Sequence, residues 1–294
     1  MSEPKGRGAA WTDERGTSEE GRRCLKAPRK RAGDRVTMVD PEEFGGRVAL
    51  VTAAAGQGIG QAVARRLAVG GARVVVTDIH PGRTEKVTAA IAADYPAATV
   101  AGYPLDAGDR DQIDAVVDAV TASLGPVQIL VNNAAVNVVG SIFGYDPADW
   151  DRVVRVNLTG PWYLCRRAMP LMRDAGGGVI VNVGSYAPDV GGGGIEAPYA
   201  ASKGGLSALT RGLAHEGGPH RIRVVYLSMG VVKDTKFAQD NAELLARMPG
   251  TVGPLGDLPG PADIAEAVAF LASDRAAYIT GEVLNVAGGA YMRN

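Results

Sequence analysis

The stretch "VTAAAGQGIGQA" (51–62) decides how the rest of the chain is read. Before it runs "RVALVT" (47–52), short, apolar and β-branched, as a buried strand requires. After it runs "GQAVARRLAVGGA" (60–72), whose Ala62, Val63 and Leu67 fall on one side of a helix. Strand, glycine turn and helix, in that order, is the setting in which a helix N-terminus takes a pyrophosphate. Gly58 and Gly60 let the backbone approach such a ligand. On their own, the same residues also build an ordinary strand-to-helix turn, so the rest of the sequence has to decide.

Working outward, the pattern repeats. Apolar runs recur at "RVVVTD" (73–78), "TVAGYPLD" (99–106), "VQILVNNA" (127–134), "GVIVNV" (178–183), "IRVVYLS" (222–228) and "GEVLNV" (281–286). Segments of helical periodicity such as "RDQIDAVVDAVTASLG" and "PADIAEAVAFLAS" lie between them. Near-continuous apolar strands alternating with helices predict a parallel sheet covered on both faces. Seven such strands make one doubly wound, Rossmann-type α/β domain over residues 41–294.

Residues 1–40 differ. They have little apolar content and no periodicity, which predicts a disordered tail. Its "KAPRKR" reads as a solvated basic segment, and Met38 is a possible alternative start. The 294-residue chain is 46% hydrophobic and 21% charged with a net charge of -1, so no overall field points to nucleic acid or to a membrane surface. No apolar run reaches the roughly 18–20 residues that span a bilayer. Two cysteines, Cys24 and Cys165, make no disulfide framework, so a soluble protein of the reducing cytoplasm is expected.

Three further features point to chemistry. "VVVTD" ends in Asp78, 18 residues beyond Gly60, where an acidic side chain accepts hydrogen bonds from an adenosine ribose. A carboxylate there repels a 2′-phosphate and favours NAD over NADP, although Arg83 stands close by. "PYAASKGGLSALTRGLA" places Tyr199 and Lys203 four residues apart, on one helix face. A phenol of pKa near ~10 needs help to act as a base at neutral pH, and an ammonium beside it favours the phenolate. Ser185, fourteen residues before Tyr199, ends a strand where its hydroxyl can meet a carbonyl oxygen.

Together these residues resemble the short-chain dehydrogenase/reductase family, in its shorter, single-domain branch, over residues 44–292. The resemblance rests on "VTAAAGQGIG", "PLD" ending in Asp106, "NNAA" (132–135), "VNLTG" with Asn157, Ser185, "YAASK" and "YITGEVLNVAGG". It implies that Tyr199 is the general acid/base, that Lys203 lowers its pKa and holds the nicotinamide ribose, that Ser185 orients the carbonyl, and that Asn157 anchors a water in a proton relay. It also implies cofactor contacts from Gly56, Gln57, Gly58, Ile59, Gly60, Asp78, Asp106, Asn133, Ala134, Gly230 and Val232, and a homotetramer. The chain departs from the family's pattern in several places. Its glycine loop is one residue longer, with Ala53 or Ala54 in place of the first glycine, a turn expected to need negative φ there. Ala135, Met229, Thr235 and Ala287 also depart, as does "YAPDVGGGGIEAP" (186–198), one residue longer and carrying four consecutive glycines.

"HEGGPH" (215–220) has the wrong spacing for a zinc helix, and with only His80, His215 and His220 no metal site is expected. Cys165 reads as core. Phe237, Leu244, Leu245 and Met248 fall in a segment that covers the substrate or simply packs a helix. The expected function is hydride transfer between NAD and a small-molecule carbonyl/alcohol pair. A 3-oxoacyl-thioester reductase using NADPH is the alternative, and a dinucleotide-binding sensor without turnover is the reading from another class.

Overall fold

The computed structural model describes residues 39–240 and 252–292. The predicted disordered tail, apart from residues 39 and 40, lies outside the described residues.

Seven strands form one parallel sheet in the order β3-β2-β1-β4-β5-β6-β7. They are β1 (Val48–Val51), β2 (Arg73–Asp78), β3 (Val100–Pro104), β4 (Val127–Asn132), β5 (Gly178–Val183), β6 (Ile222–Met229) and β7 (Val283–Val286). β2 and β5 keep the bounds read from the sequence, and the others differ by a few residues at their ends. Neighbouring strands pair in register, as in Leu50 with Val75 and Val181 with Val225.

Alternate residues point to opposite faces, so each strand feeds two cores. Ala49, Val51, Val74 and Val76 pack with Val63 and Leu67 of α1 (Ile59–Val69), Val87 and Ile91 of α2 (Pro81–Asp94), and Ile264 and Val268 of the last helix. Val48, Leu50 and Val75 pack on the other face with Ile113 and Val117 of α3 (Arg110–Leu124) and with Leu164 and Met172. A sheet buried on both sides selects the continuous apolar runs seen in the sequence.

α3 starts on Asp109, whose Oδ1 accepts from Asp111 N at 3.0 Å and Gln112 N at 3.2 Å. α4 (Pro147–Val154) starts on Asp146 in the same way. It runs through a π-helical turn, Arg155–Thr159, into α5 (Gly160–Asp174). α6 (Ala197–Gly217), the short α7 (Lys236–Asp240) and α8 (Pro261–Ala272) complete the described α-helices. Among the described residues no helix is long and apolar enough to cross a membrane.

Candidate active site

The C-terminal ends of the first six strands open onto one cavity of about 800 Å³. Its wall takes residues from the loops after β1, β2, β3, β4, β5 and β6. The chain turns from β1 towards β2 on one side and enters β4 on the other, and the crevice between such diverging loops is where open α/β sheets bind ligands.

The glycine loop forms one end. Ala53 adopts φ 50°, in the left-handed region. The expectation that an alanine here needs negative φ is therefore overturned: Ala53 takes the glycine's conformation and carries its strain. The fold holds it there because Thr52 and Ala53 are tied to the loop after β4. Asn133 Nδ2 donates to Thr52 O at 2.9 Å and Ala53 O at 3.3 Å. The Thr52 hydroxyl accepts from the backbone of Asn133 and Ala134, each at 2.9 Å. A Cβ on Gly60 would stand 2.4 Å from Ala53 O and 2.6 Å from Asn133 Nδ2, so only glycine fits. α1 begins after Gly58 with no side-chain cap and no acidic residue in its first turn. Its N-terminal N–H groups and positive dipole end therefore suit an anionic pyrophosphate.

Gly56, Gln57, Gly58, Ile59, Gly60, Asp78, Asp106, Asn133, Ala134, Gly230 and Val232, for which the resemblance implies cofactor contacts, all line the cavity. Asp78 is buried at the end of β2, and its Oδ1 accepts from His80 N at 3.1 Å and from Arg83 Nη2 at 2.7 Å. No partner of its Oδ2 occurs among the described residues. Asp106 Oδ1 accepts from Gly108 N at 2.8 Å and Oδ2 faces Arg155 at 3.2 Å. Beyond β6, the methyl group of Thr235 lies 3.6 Å from where a Cβ of Gly58 would be, which joins the two loops.

At the other end, Ser185, Tyr199 and Lys203 share the wall. Ser185 follows β5, and its backbone is clamped by a phenol from the neighbouring strand. Ser185 N donates to Tyr226 Oη at 2.9 Å, and Tyr226 Oη donates to Ser185 O at 3.0 Å. The Tyr226 ring fits because residue 184 is glycine; a Cβ there would fall 1.9 Å from the ring. Lys203 is only 2% exposed, donates from Nζ to Val183 O at 2.8 Å, and lies 5.7 Å from the centroid of the Tyr199 ring.

Burial lowers the Lys203 pKa to about 8. Burial also drives the Tyr199 phenol well above its ordinary value, with the Tyr226 and Glu196 charges adding to it and the Ser185 hydroxyl opposing it. Desolvation is the largest cause of this rise.

Asn157 lies in the π-helical turn, fully buried and behind the cavity wall. Its Oδ1 accepts from Val136 N at 2.9 Å, and its Nδ2 donates to Val136 O at 2.9 Å and Ser202 Oγ at 3.1 Å. Its side chain braces the loop after β4 against α6.

The sequence reading missed three residues. Glu196 and Asn137 line the cavity, hydrogen-bonded to each other at 2.8 Å, and Tyr226 clamps Ser185. Glu196 stands just before "APY", at the N-cap of α6, where its side chain makes no capping hydrogen bond. Nothing in the pattern marks Asn137 or Tyr226. Phe237 packs its ring 5.8 Å from that of Tyr199, whereas Leu244, Leu245 and Met248 lie outside the described residues. Among the described residues no group of three or more His, Cys, Asp or Glu could hold a metal. Cys165 is a free, buried thiol whose pKa burial pushes up to about 12.

An anion-binding helix start, an acidic strand end and a serine–tyrosine–lysine cluster in one crevice define a dinucleotide-dependent oxidoreductase. The chain belongs to the short-chain dehydrogenase/reductase family. The family model described as enoyl-(acyl carrier protein) reductase matches residues 53–291. The 3-oxoacyl-[acyl-carrier-protein] reductase FabG of Escherichia coli is 38% identical over 253 residues, covering 85% of this chain and 99% of that protein. A 3alpha-hydroxysteroid dehydrogenase of Mediterraneibacter gnavus is 34% identical over 248 residues, covering 83% and 96%. Among solved structures, a short chain dehydrogenase from Mycobacterium smegmatis superposes with a TM-score of 0.72 at 32% identity, over 85% of this chain and 93% of that one. L-sorbose reductase from Gluconobacter frateurii, complexed with NADPH and L-sorbose, gives 0.77 at 26% identity, over 85% and 98%. The protein is an oxidoreductase of nicotinamide dinucleotides that acts on CH–OH and carbonyl groups.

Proposed function

We propose that the enzyme interconverts a secondary alcohol and its carbonyl compound with NAD(H), using Tyr199 as general acid and base. The observation that carries this reading is the shared wall on which Ser185, Tyr199 and Lys203 meet beside the glycine loop. The bound dinucleotide supplies or accepts the hydride at its nicotinamide ring. Ser185 donates a hydrogen bond to the substrate oxygen. In reduction the Tyr199 hydroxyl gives its proton to that oxygen as the hydride arrives at carbon; in oxidation Tyr199 takes it back. Lys203 stabilises the phenolate and relays a proton from solvent to it after reduction, or from Tyr199 to solvent after oxidation. Asn157 holds the α6 end of this relay in place through Ser202 and Val136.

NAD is favoured over NADP by Asp78. The carboxylate is buried, already carries one arginine on Oδ1, and leaves Oδ2 to accept from a ribose hydroxyl. A 2′-phosphate placed there meets a negative charge at close range. The second reading, a 3-oxoacyl-thioester reductase using NADPH, draws on the FabG relative and on Arg83, which lines the cavity beside Asp78. We also assign the protein to the cytoplasm as a homotetramer, on the strength of its free thiol and its family.

Parallel titration with NADH and NADPH, followed by nicotinamide fluorescence, tests the cofactor. Tighter NADH binding supports the Asp78 reading, and tighter NADPH binding promotes the thioester reductase. Tyr199→Phe should lose turnover by roughly 10²–10⁴-fold while keeping its cofactor affinity. Retained turnover in this variant rejects the mechanism, and a wild-type protein that binds cofactor without turning over any substrate is a sensor.

A further inference from the structure

The loop between Ser185 and Tyr199, one residue longer than the family's pattern, contains four consecutive glycines. Gly191, Gly192, Gly193 and Gly194 have φ of 65°, 64°, 58° and 79°. Four successive left-handed residues are a conformation that only glycine adopts without strain. This turn delivers Glu196. Glu196 N donates to Gly192 O at 3.2 Å, and a Cβ on Gly192 would sit 2.9 Å from Glu196 Cγ. The loop is pinned from the other side, where Gly140 N at 2.8 Å and Tyr145 Oη at 2.7 Å donate to Ile195 O.

Glu196 is 6% exposed, lines the same cavity as Ser185 and Tyr199, and has no lysine or arginine in ion-pair range among the described residues. Its Oε2 accepts from Asn137 Nδ2 at 2.8 Å. Its Oε1 has no hydrogen-bond partner among the described residues. Asn137 Oδ1 is buried and also without a partner. Asn137 Oδ1 is thus a buried acceptor left short, and Glu196 Oε1 is open to accept from a ligand that enters the cavity. Burial already raises the Glu196 pKa, as expected of a carboxyl short of donors.

We propose that Glu196, supported by Asn137, is a subsite for a hydroxyl group on the carbon next to the reacting centre, so that the enzyme selects hydroxyketones and vicinal diols. This rests on the hydride-transfer reading. A hydroxyl donates to the carboxylate and satisfies it. An unsubstituted ketone leaves it bare, and the carbonyl of a thioester turns an acceptor towards an acceptor. The hydrogen bond to a charged acceptor also orients the neighbouring carbon against Tyr199.

The test uses full-length wild type, Glu196→Ala and Glu196→Gln with 2-butanol, 2,3-butanediol and 3-amino-2-butanol, all stereoisomers, at saturating cofactor. The expected result is a higher kcat/KM for the diol than for the alcohol, a ratio that falls about tenfold in Glu196→Ala. Glu196→Gln keeps the shape and reads the charge alone if the alanine variant does not fold; its ratio should fall too. A ratio unchanged in both variants overturns the proposal, including the case where both rates fall together, which marks a structural role. Preference for the amino alcohol over the diol also overturns it. Binding of acetoin and butanone to the enzyme–NADH complex, by nicotinamide fluorescence, reads the subsite without turnover. Tighter acetoin binding without catalysis upholds the subsite and rejects hydride transfer; equal binding rejects the subsite and leaves hydride transfer standing.

Discussion

Burial of Lys203 makes a testable link between stability and function. Its pKa falls from 10.5 in the open chain to about 8 in the fold. Below pH 8 both states hold the proton, and the folded state bears the cost of a buried ammonium. Between pH 8 and 10.5 the unfolded chain binds more protons, so stability rises with pH and the cost disappears. Lys203→Met should therefore be more stable at pH 7 by about 2 kcal/mol, after roughly 1 kcal/mol is lost with the bond to Val183 O. That advantage should vanish above pH 10.5, and turnover should be lost throughout; denaturant melts at pH 7 and 10.5 check it. Ala53 offers the converse case. An alanine at φ 50° costs roughly 1–2 kcal/mol, while glycine costs up to about 1 kcal/mol through the freer unfolded chain. Ala53→Gly should stabilise the protein by about 0.5 kcal/mol, seen as a higher urea midpoint with unchanged slope.

At the scale of elements, the glycine turn before α6 and the π-helical turn before α5 both act by placing side chains rather than by adding stability. A methyl group on Gly192 meets positive φ and the Glu196 side chain together. Gly192→Ala should therefore lower the diol-to-alcohol ratio of kcat/KM about as much as Glu196→Ala, while Gly204→Ala, whose Cβ would meet only Pro188 at 3.6 Å, leaves it unchanged. Steady-state kinetics on the two variants check this. β2 and β5 were legible to the residue because period-independent apolar runs ending at Asp78 and Val183 have no rival reading. The set of Ser185, Tyr199 and Lys203 was legible through its resemblance to the family's motifs, because a Tyr and a Lys four residues apart are common on helices. Glu196 was not, because the chain around it reads as loop, and the left-handed turn that aims it depends on four dihedral angles rather than on any periodic pattern.

For the whole molecule, Phe143, Trp150 and Tyr278 are exposed large side chains on the described surface. Apolar side chains of this size are favoured where surfaces meet, and the proposed homotetramer gives them partners. Light scattering coupled to size exclusion should return four times the 30.4 kDa chain mass, and a monomer at micromolar concentration rejects that assembly.

By itself the sequence determined the parallel seven-stranded sheet, the glycine turn on α1, Asp78 and the serine–tyrosine–lysine set. Each of these is a local matter: the period of the apolar residues, the order of strand, turn and helix, and short motifs that resemble the family's. Only the tertiary structure decided how strongly Tyr199 and Lys203 are desolvated, that the Asn157 side chain is spent on bracing, that Tyr226 clamps Ser185 from the next strand, and that Glu196 meets Asn137 in the cavity. These depend on distances between segments 20 to 60 residues apart in the chain, and on the low dielectric between them, which no local pattern carries.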